Sequence, residues 1–373
     1  MALELREVKT EADAKAFVRL PFNLYQGNAF WVPPMKADEQ KMLFSKTNPA
    51  FNFCEAKFWL AYRNGGCVGR IGGIINTLYN EKTGDAMARF SRLELLNDPE
   101  VATLLLHTAE EWAKEKGMKG VHGPLGFINL DNQGVLVEGF DRLASIGSVY
   151  HLPYYQQLLE QNGYEKEIDW LEFRLTVAGA AVDKAERGSQ LIKKRYEMEV
   201  MHFKRIEDLM PHAATIFEIL NDSFVDLPYV TALPREMMHF YKEKFLKFLN
   251  PEFVKLVKMK GEIIGFVIGI PSLSEAMQKA GGSLFPFGFL HILSDRKGKE
   301  VLDQMLTGVR KEHMATGAGV VLMAELQKQM LAKGMRYIET TGIFETNQNA
   351  IANWKNYEHI QHKRKRVYHK LFS

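Results

Sequence analysis

Apolar and polar positions alternate in two stretches that resemble one another: LAYRNGGCVGRIGGI from Leu60 and LVKMKGEIIGFVIGI from Leu256. A period of two marks half-buried strands. Each stretch turns at a dipeptide suited to a tight hairpin, Asn64-Gly65 in the first and Lys260-Gly261 in the second. Leu60, Gly65, Gly69, Gly73 and Ile74 correspond to Leu256, Gly261, Gly265, Gly269 and Ile270. Further along, the period lengthens to that of a helix. Two amphipathic segments end in matching phrases, Lys116-Gly117-Met118-Lys119 and Lys333-Gly334-Met335-Arg336, where the glycine stops the helix before a new strand.

The chain is therefore an internal repeat. The interval from Gly265 to Gly334 exceeds that from Gly69 to Gly117, so the second copy carries an insertion, which we place at residues 271–291. After its helix, each copy continues as strand, irregular stretch, helix and charged final strand. These elements predict an α/β fold with mixed sheets, built as two tandem domains at 1–178 and 198–373, each a twisted mixed sheet flanked by helices. Residues 179–197 are small and charged, and read as a linker with a partly helical arm.

Composition narrows the class. A chain of 373 residues with 46% hydrophobic and 25% charged residues is globular and long enough for two cores. A net charge of +3 is too small to imply a nucleic-acid partner. The two cysteines, Cys54 and Cys67, suggest a reducing compartment, and no Cys/His spacing marks a metal site. The N-terminus lacks an apolar signal core and the longest apolar run, 263–271, is too short to span a bilayer, so we expect a cytoplasmic protein without a membrane partner. Oligomeric state is not legible.

The chemistry-bearing feature lies in the second half. Strand-like residues 301–310 lead to Thr316-Gly317-Ala318-Gly319 and then to an amphipathic helix. The first turn of a helix has unpaired N–H groups and the positive end of the helix dipole, and glycines let a ligand approach those amides. The loop lacks the Lys-Ser/Thr of a P-loop and is not the G-x-G-x-x-G of a dinucleotide fold. It is an anion cradle of another kind.

The order of elements, repeated twice, resembles the GNAT superfamily of acyl-CoA N-acyltransferases. Phrases across the chain, among them Trp31-Val32-Pro33-Pro34, Asn48-Pro49, Gly123-Pro124 and Pro153-Tyr154-Tyr155, resemble a bacterial family of tandem GNAT-like proteins. The resemblance implies acetyl-CoA or another acyl-CoA as co-substrate, held on the second half by Val309, Lys311, His313, Met314, Ala315, Thr316, Gly317, Ala318 and Gly319, with Asn347 and Trp354 on the following helix. Backbone groups at 308–311 would pair with the pantetheine amides. Two positions depart from the family pattern. Met314 stands where an Arg or Gln grips phosphate, and Trp354 stands where a Tyr protonates the leaving thiolate. The first half meets its helix at Asn97-Asp98-Pro99 without the glycines, and an acidic cap repels phosphate, so this half is expected to bind no coenzyme.

Acyl transfer to an amine needs a base and an acid for the thiolate. Glu339, Glu345 and Glu312 are the base candidates, Glu345 alongside its ordinary reading as a surface group at a helix start, and Tyr357, one helical turn beyond Trp354, is the candidate substitute acid alongside its ordinary reading as core packing. In the first half the polar loop Asn129, Asp131, Asn132 and the pair Tyr154 and Tyr155 are candidates for the acceptor pocket, alongside their ordinary reading as an Asx-turn and core packing. The basic run 362–366 alternates on a terminal strand and reads as a solvated edge. The implied function is N-acyl transfer to a small-molecule or peptide amine. The alternatives are a GNAT-fold binding or scaffold protein that has lost its acid, and transfer to an aminoacyl or peptide group.

Overall fold

A computed structural model describes residues 2–372 apart from 179, 247, 296–298, 353, 355 and 356. The first half runs β1 (Leu3–Glu7), α1 (Glu11–Leu24), α2 (Lys36–Lys41), β2 (Cys54–Arg63), β3 (Gly66–Asn76), α3 (Thr77–Thr83), β4 (Met87–Leu95), α4 (Pro99–Glu115), β5 (Gly120–Gly123), β6 (Val135–Glu138), α5 (Tyr154–Gln161) and β7 (Glu165–Thr176). The second runs α6 (Ala180–Tyr196), β8 (Met198–His202), α7 (Ile206–Leu209), α8 (Ala213–Phe224), α9 (Arg235–Leu246), β9 (Val254–Met259), β10 (Glu262–Pro271), α10 (Ser274–Ala280), α11 (Gly288–Asp295), β11 (Val301–Val309), α12 (Ala318–Ala332), β12 (Tyr337–Thr340), β13 (Ile343–Phe344), α13 (Gln348–Ala352) and β14 (His359–Leu371).

The repeat is visible in detail. Asn64-Gly65 (φ 54° and 78°) and Lys260-Gly261 (φ 51° and 86°) are both left-handed, as a tight hairpin of this hand requires. In both halves the register slips once between the second hairpin strand and its next neighbour, near Arg70/Gly72 on β3 and near Ile268/Gly269 on β10. The insertion expected at 271–291 holds α10 and the start of α11. The expected linker is largely α6, and Lys193 on it pairs with Glu325 of α12 at 2.7 Å.

The halves share one sheet, in the order β1-β2-β3-β4-β5-β14-β7-β12-β11-β10-β9-β8. The last strand of each half has crossed to the other: β14 lies antiparallel between β5 and β7, while β7 pairs with β12. The basic run 362–366 is accordingly central, which corrects the solvated edge expected from the sequence. Alternation does separate its side chains, but Lys363 and Lys365 are 2% and 5% exposed because Glu172 on β7 meets both, at 3.3 and 3.0 Å. On the other face Arg364 and Arg366 clasp buried Asp169.

One apolar core also spans the halves, joining Phe17, Phe58, Ile74 and Phe127 to Ile219, Leu220, Tyr241 and Phe266. Separate cores lie under α4 and under α12.

The two lysines hold the Glu172 carboxyl down at about 2 against the cost of its burial. It stays ionised below the ordinary carboxylate range, and its contribution to stability, complete above that range, is lost as pH falls through the lowered value. Glu172→Leu strands two buried ammonium groups and is expected to destabilise the protein by roughly 3–5 kcal/mol at pH 7. Urea unfolding measures this, and adding Lys363→Met and Lys365→Met is expected to recover most of the loss.

Candidate functional site

The parallel pairing of β11 with β12 covers only 301–304 against 337–340. Beyond it β11 continues along β10 to Val309, whereas the chain after Thr340 turns to β13 and pairs with β7. The strands part, and a cavity of about 1280 Å³ occupies the gap. On one side it is lined by the start of α12 (Met314, Gly317, Gly319, Val320, Met323) and by Asn347, Ala350, Trp354 and Tyr357. On the other it meets α8 and α9 with Phe217, Leu220, Phe224, Phe245 and Leu246, then β4 of the first half. Residues 304–309 and 340–344 border it in between.

The glycine loop occupies one mouth of this cavity. A short helical turn over Lys311–Thr316 ends at Gly317, whose φ of +84° stops it and starts α12. The ladder of α12 begins at Val320 N–H to Gly317 O, 3.0 Å, so the amides before Val320 have no partner within the helix. The two glycines differ in role. A Cβ on Gly317 would sit 2.8 Å from Ile192 of α6, so this glycine serves the turn and the helix contact. A Cβ on Gly319 would meet nothing within 4 Å and would stand in the open cavity.

Val309 lines the cavity with the glycines, but Lys311, His313, Ala315, Thr316 and Ala318 do not. Lys311 instead pairs with Asp226 at 2.5 Å and donates its amide to Asp222 at 2.8 Å, which ties the loop to the end of α8. Met314 is exposed at the mouth.

Asn347 caps α13, accepting from Ala350 N–H at 3.1 Å. Trp354 is buried, and its indole N–H has no partner among the described residues. Tyr357 faces the cavity, its hydroxyl 2.9 Å from Gln327 Nε2, and burial raises it above the ordinary phenol range. The two glutamates do not join them. Glu345 accepts Asp169 N–H at 3.1 Å and pairs with Lys166 at 2.8 Å, holding the seam. Glu339 lies 2.6 Å from His362 and 3.4 Å from Arg174, away from the cavity lining.

Of the first-half candidates, Asn129, Asp131 and Asn132 line the cavity. Asp131 reaches back along the loop, its Oδ2 accepting Phe127 N–H at 2.9 Å and Ile128 N–H at 3.3 Å in place of the forward Asx-turn, and its Oδ1 accepts the Tyr241 hydroxyl at 2.5 Å. Tyr154 and Tyr155 lie outside the lining, donating to Leu95 O at 2.7 Å and to Glu94 at 2.6 Å. Sequence reasoning missed Arg70, Arg92, Glu94, His151 and Lys365, which do line it. For Arg70, Arg92 and Glu94 the one signal was a charge inside an apolar strand run, as in GRIGGI and RFSRLEL.

Asp303 joins Glu172 and Asp169 as a buried carboxyl of the seam region, fully buried on β11 opposite Glu339. Burial first, and Glu339 next, raise it to about 8, against the opposing pull of Lys363.

The solved tandem GNAT protein from the clavulanic acid biosynthesis pathway superposes with a TM-score of 0.56 at 12% identity, covering 99% of this chain and 98% of that one. The fold is the tandem GNAT fold. Two curated relatives align over nearly the full length: Protein YghO of Escherichia coli K12, 27% identical over 98% of this chain and 95% of its own, and the bacterial ceramide synthase of Caulobacter vibrioides, 28% identical over 99% and 97%. No family model matches. Among the described residues no helix is long and apolar enough to cross a membrane.

Because the folded protein holds a proton on Asp303 that the unfolded chain releases near pH 4, the associated stability is complete below that pH and lost as pH rises through about 8. Stability should decline by up to about 1.4 kcal/mol per pH unit across this window, and Asp303→Asn should flatten the decline. Denaturant midpoints at pH 5 and pH 8.5 measure it; an unchanged slope in the variant contradicts the assignment.

Proposed function

We propose that the protein is an acyl-CoA-dependent N-acyltransferase whose second half binds the acyl-CoA and whose first half walls the acceptor site. The observation that carries this reading is the gap between β11 and β12, open at the start of α12 where Gly319 leaves room for an anion, and continuous with a large apolar cavity. The unpaired amides and dipole of α12 suit a pyrophosphate even though Met314 supplies no guanidinium. The equivalent end of α4 does not fit one. Asp98 already accepts Glu100 N–H at 3.0 Å and pairs with Arg63 at 2.5 Å.

Acyl-CoA supplies an activated thioester carbonyl. The neutral acceptor amine attacks that carbon, the C–N bond forms, the C–S bond breaks, CoA leaves as a thiolate, and the nitrogen sheds its extra proton to solvent water, which afterwards reprotonates the acid. Tyr357, which lines the coenzyme side and stays protonated at neutral pH, donates the proton to the sulfur. Trp354 packs beside it as a wall, with ring centroids 6.5 Å apart. Phe217, Leu220, Phe224, Phe245 and Leu246 offer an apolar lining that suits a long chain on the acyl group or the amine. The name of the Caulobacter relative, a ceramide synthase, supports a lipid-like amine over a small polar one.

Release of free CoA from acetyl- and palmitoyl-CoA with a panel of long-chain amines tests the activity. Gly319→Glu is expected to weaken acyl-CoA binding at least tenfold at little cost in Tm, because the helix position tolerates a side chain; Gly317 is unsuitable for this test, being left-handed and packed on Ile192. Tyr357→Phe is expected to lower kcat by about 10²-fold with KM nearly unchanged. Tight coenzyme binding with no turnover on any amine favours a binding protein, in keeping with Trp354 at the usual acid position; absence of coenzyme binding overturns the proposal.

A further inference from the structure

The cavity has two chemically different walls. The side formed by α8 and α9 is apolar, whereas the side formed by β3 and β4 of the first half presents buried guanidinium groups. Arg70 is 6% exposed and remains cationic despite burial. It makes one hydrogen bond, Nη1 to Phe17 O at 2.8 Å, and its Nε has no partner among the described residues. Its register partner Glu94 turns Oε1 toward it at 4.0 Å, an ion pair without a hydrogen bond, while Glu94 Oε2 accepts the hydroxyls of Tyr25 and Tyr155, each at 2.6 Å. Glu94 thus balances the charge of Arg70 and leaves its remaining N–H donors unmet.

Arg92 lies in the β3–β4 irregularity at φ 48°, a left-handed conformation rare for a residue with a Cβ, and this turn brings it to the same cavity. It gives Nε to Glu39 at 3.1 Å. His151 completes the wall as a donor. Its Nδ1 accepts Leu136 N–H at 3.2 Å, and burial with the nearby Lys365 and Arg70 depresses it to about 3, so the neutral ring carries its proton on Nε2. Incompletely partnered buried donors are costly unless a ligand meets them.

We propose that the first half's wall, centred on Arg70 and Arg92, is an anion subsite that takes a carboxylate or phosphate on the acceptor, so that the acceptor is an amphiphilic amine with an acidic head. This deepens the acyltransferase reading and rests on it for the amine, but the anion subsite is testable without acyl-CoA. A guanidinium suits either oxyanion, through paired N–H donors. The apolar wall takes the tail, and the shared cavity leads to the β11–β12 gap.

Calorimetric titration of the full chain with dodecyl phosphate, laurate, dodecanol and dodecylammonium decides the matter. At least one anionic probe is expected to bind tenfold or more tightly than dodecanol, and whichever of phosphate and carboxylate binds better identifies the head. Arg70→Gln is expected to erase the preference while leaving palmitoyl-CoA binding intact. Glu94→Gln is expected to strengthen anion binding several-fold, a gain that misfolding cannot mimic. Equal binding of dodecanol and both anions, or a preference unchanged by both substitutions, overturns the subsite. Failure of palmitoyl-CoA to bind while the anion preference persists instead overturns the acyltransferase reading alone.

Discussion

Two lysines and a glutamate, buried together where the halves meet, make this molecule one body. Glu172 belongs to the last strand of the first half, and Lys363 and Lys365 to the last strand of the second. Each strand lies in territory that a free-standing domain would close for itself. The charges can be buried only with each other, so neither strand can leave without stranding its partners. The exchange makes the sheet continuous, brings β13 onto β7, and thereby draws the chain after Thr340 away from β11. The gap between β11 and β12 opens beside that seam.

The two parted-strand regions have diverged in use. In the second half, the helix beyond the gap begins with glycines and free amides. In the first half, the corresponding helix is capped by Asp98, and the parting of β4 from β5 beyond residues 87–89 and 120–122 is followed by a polar loop and buried arginines. In the function proposed above, one half offers a site for a nucleotide phosphate and a thioester, and the other a charged wall. The shared apolar core between them, from Phe17 to Phe266, fixes their separation.

The repeat, both hairpins, the insertion and the glycine loop were legible because each depends on local chemistry: alternation, a left-handed turn dipeptide, a helix-stopping glycine. Strand exchange was not, since the final strands of two related halves carry the same pattern whichever neighbour they join. The run 362–366 looked like a solvated edge because sequence shows its charges but not Glu172 and Asp169 opposite them. Glu339 and Glu345 were attractive by position in the chain, yet ion pairs to His362, Arg174 and Lys166 occupy them. Tyr357 was found from helical spacing, whereas Arg70 had no spacing to betray it; only the cavity does.

The most direct measurement is diffraction from crystals grown with a non-hydrolysable long-chain acyl-CoA analogue. The pyrophosphate should lie against the amides ahead of Val320, with the thioester in the β11–β12 gap beyond the last paired residues, Gln304 and Thr340. Coenzyme at the start of α4, or coenzyme confined to the outer surface with the gap empty, would contradict the assignment of the second half as the acyl-CoA site.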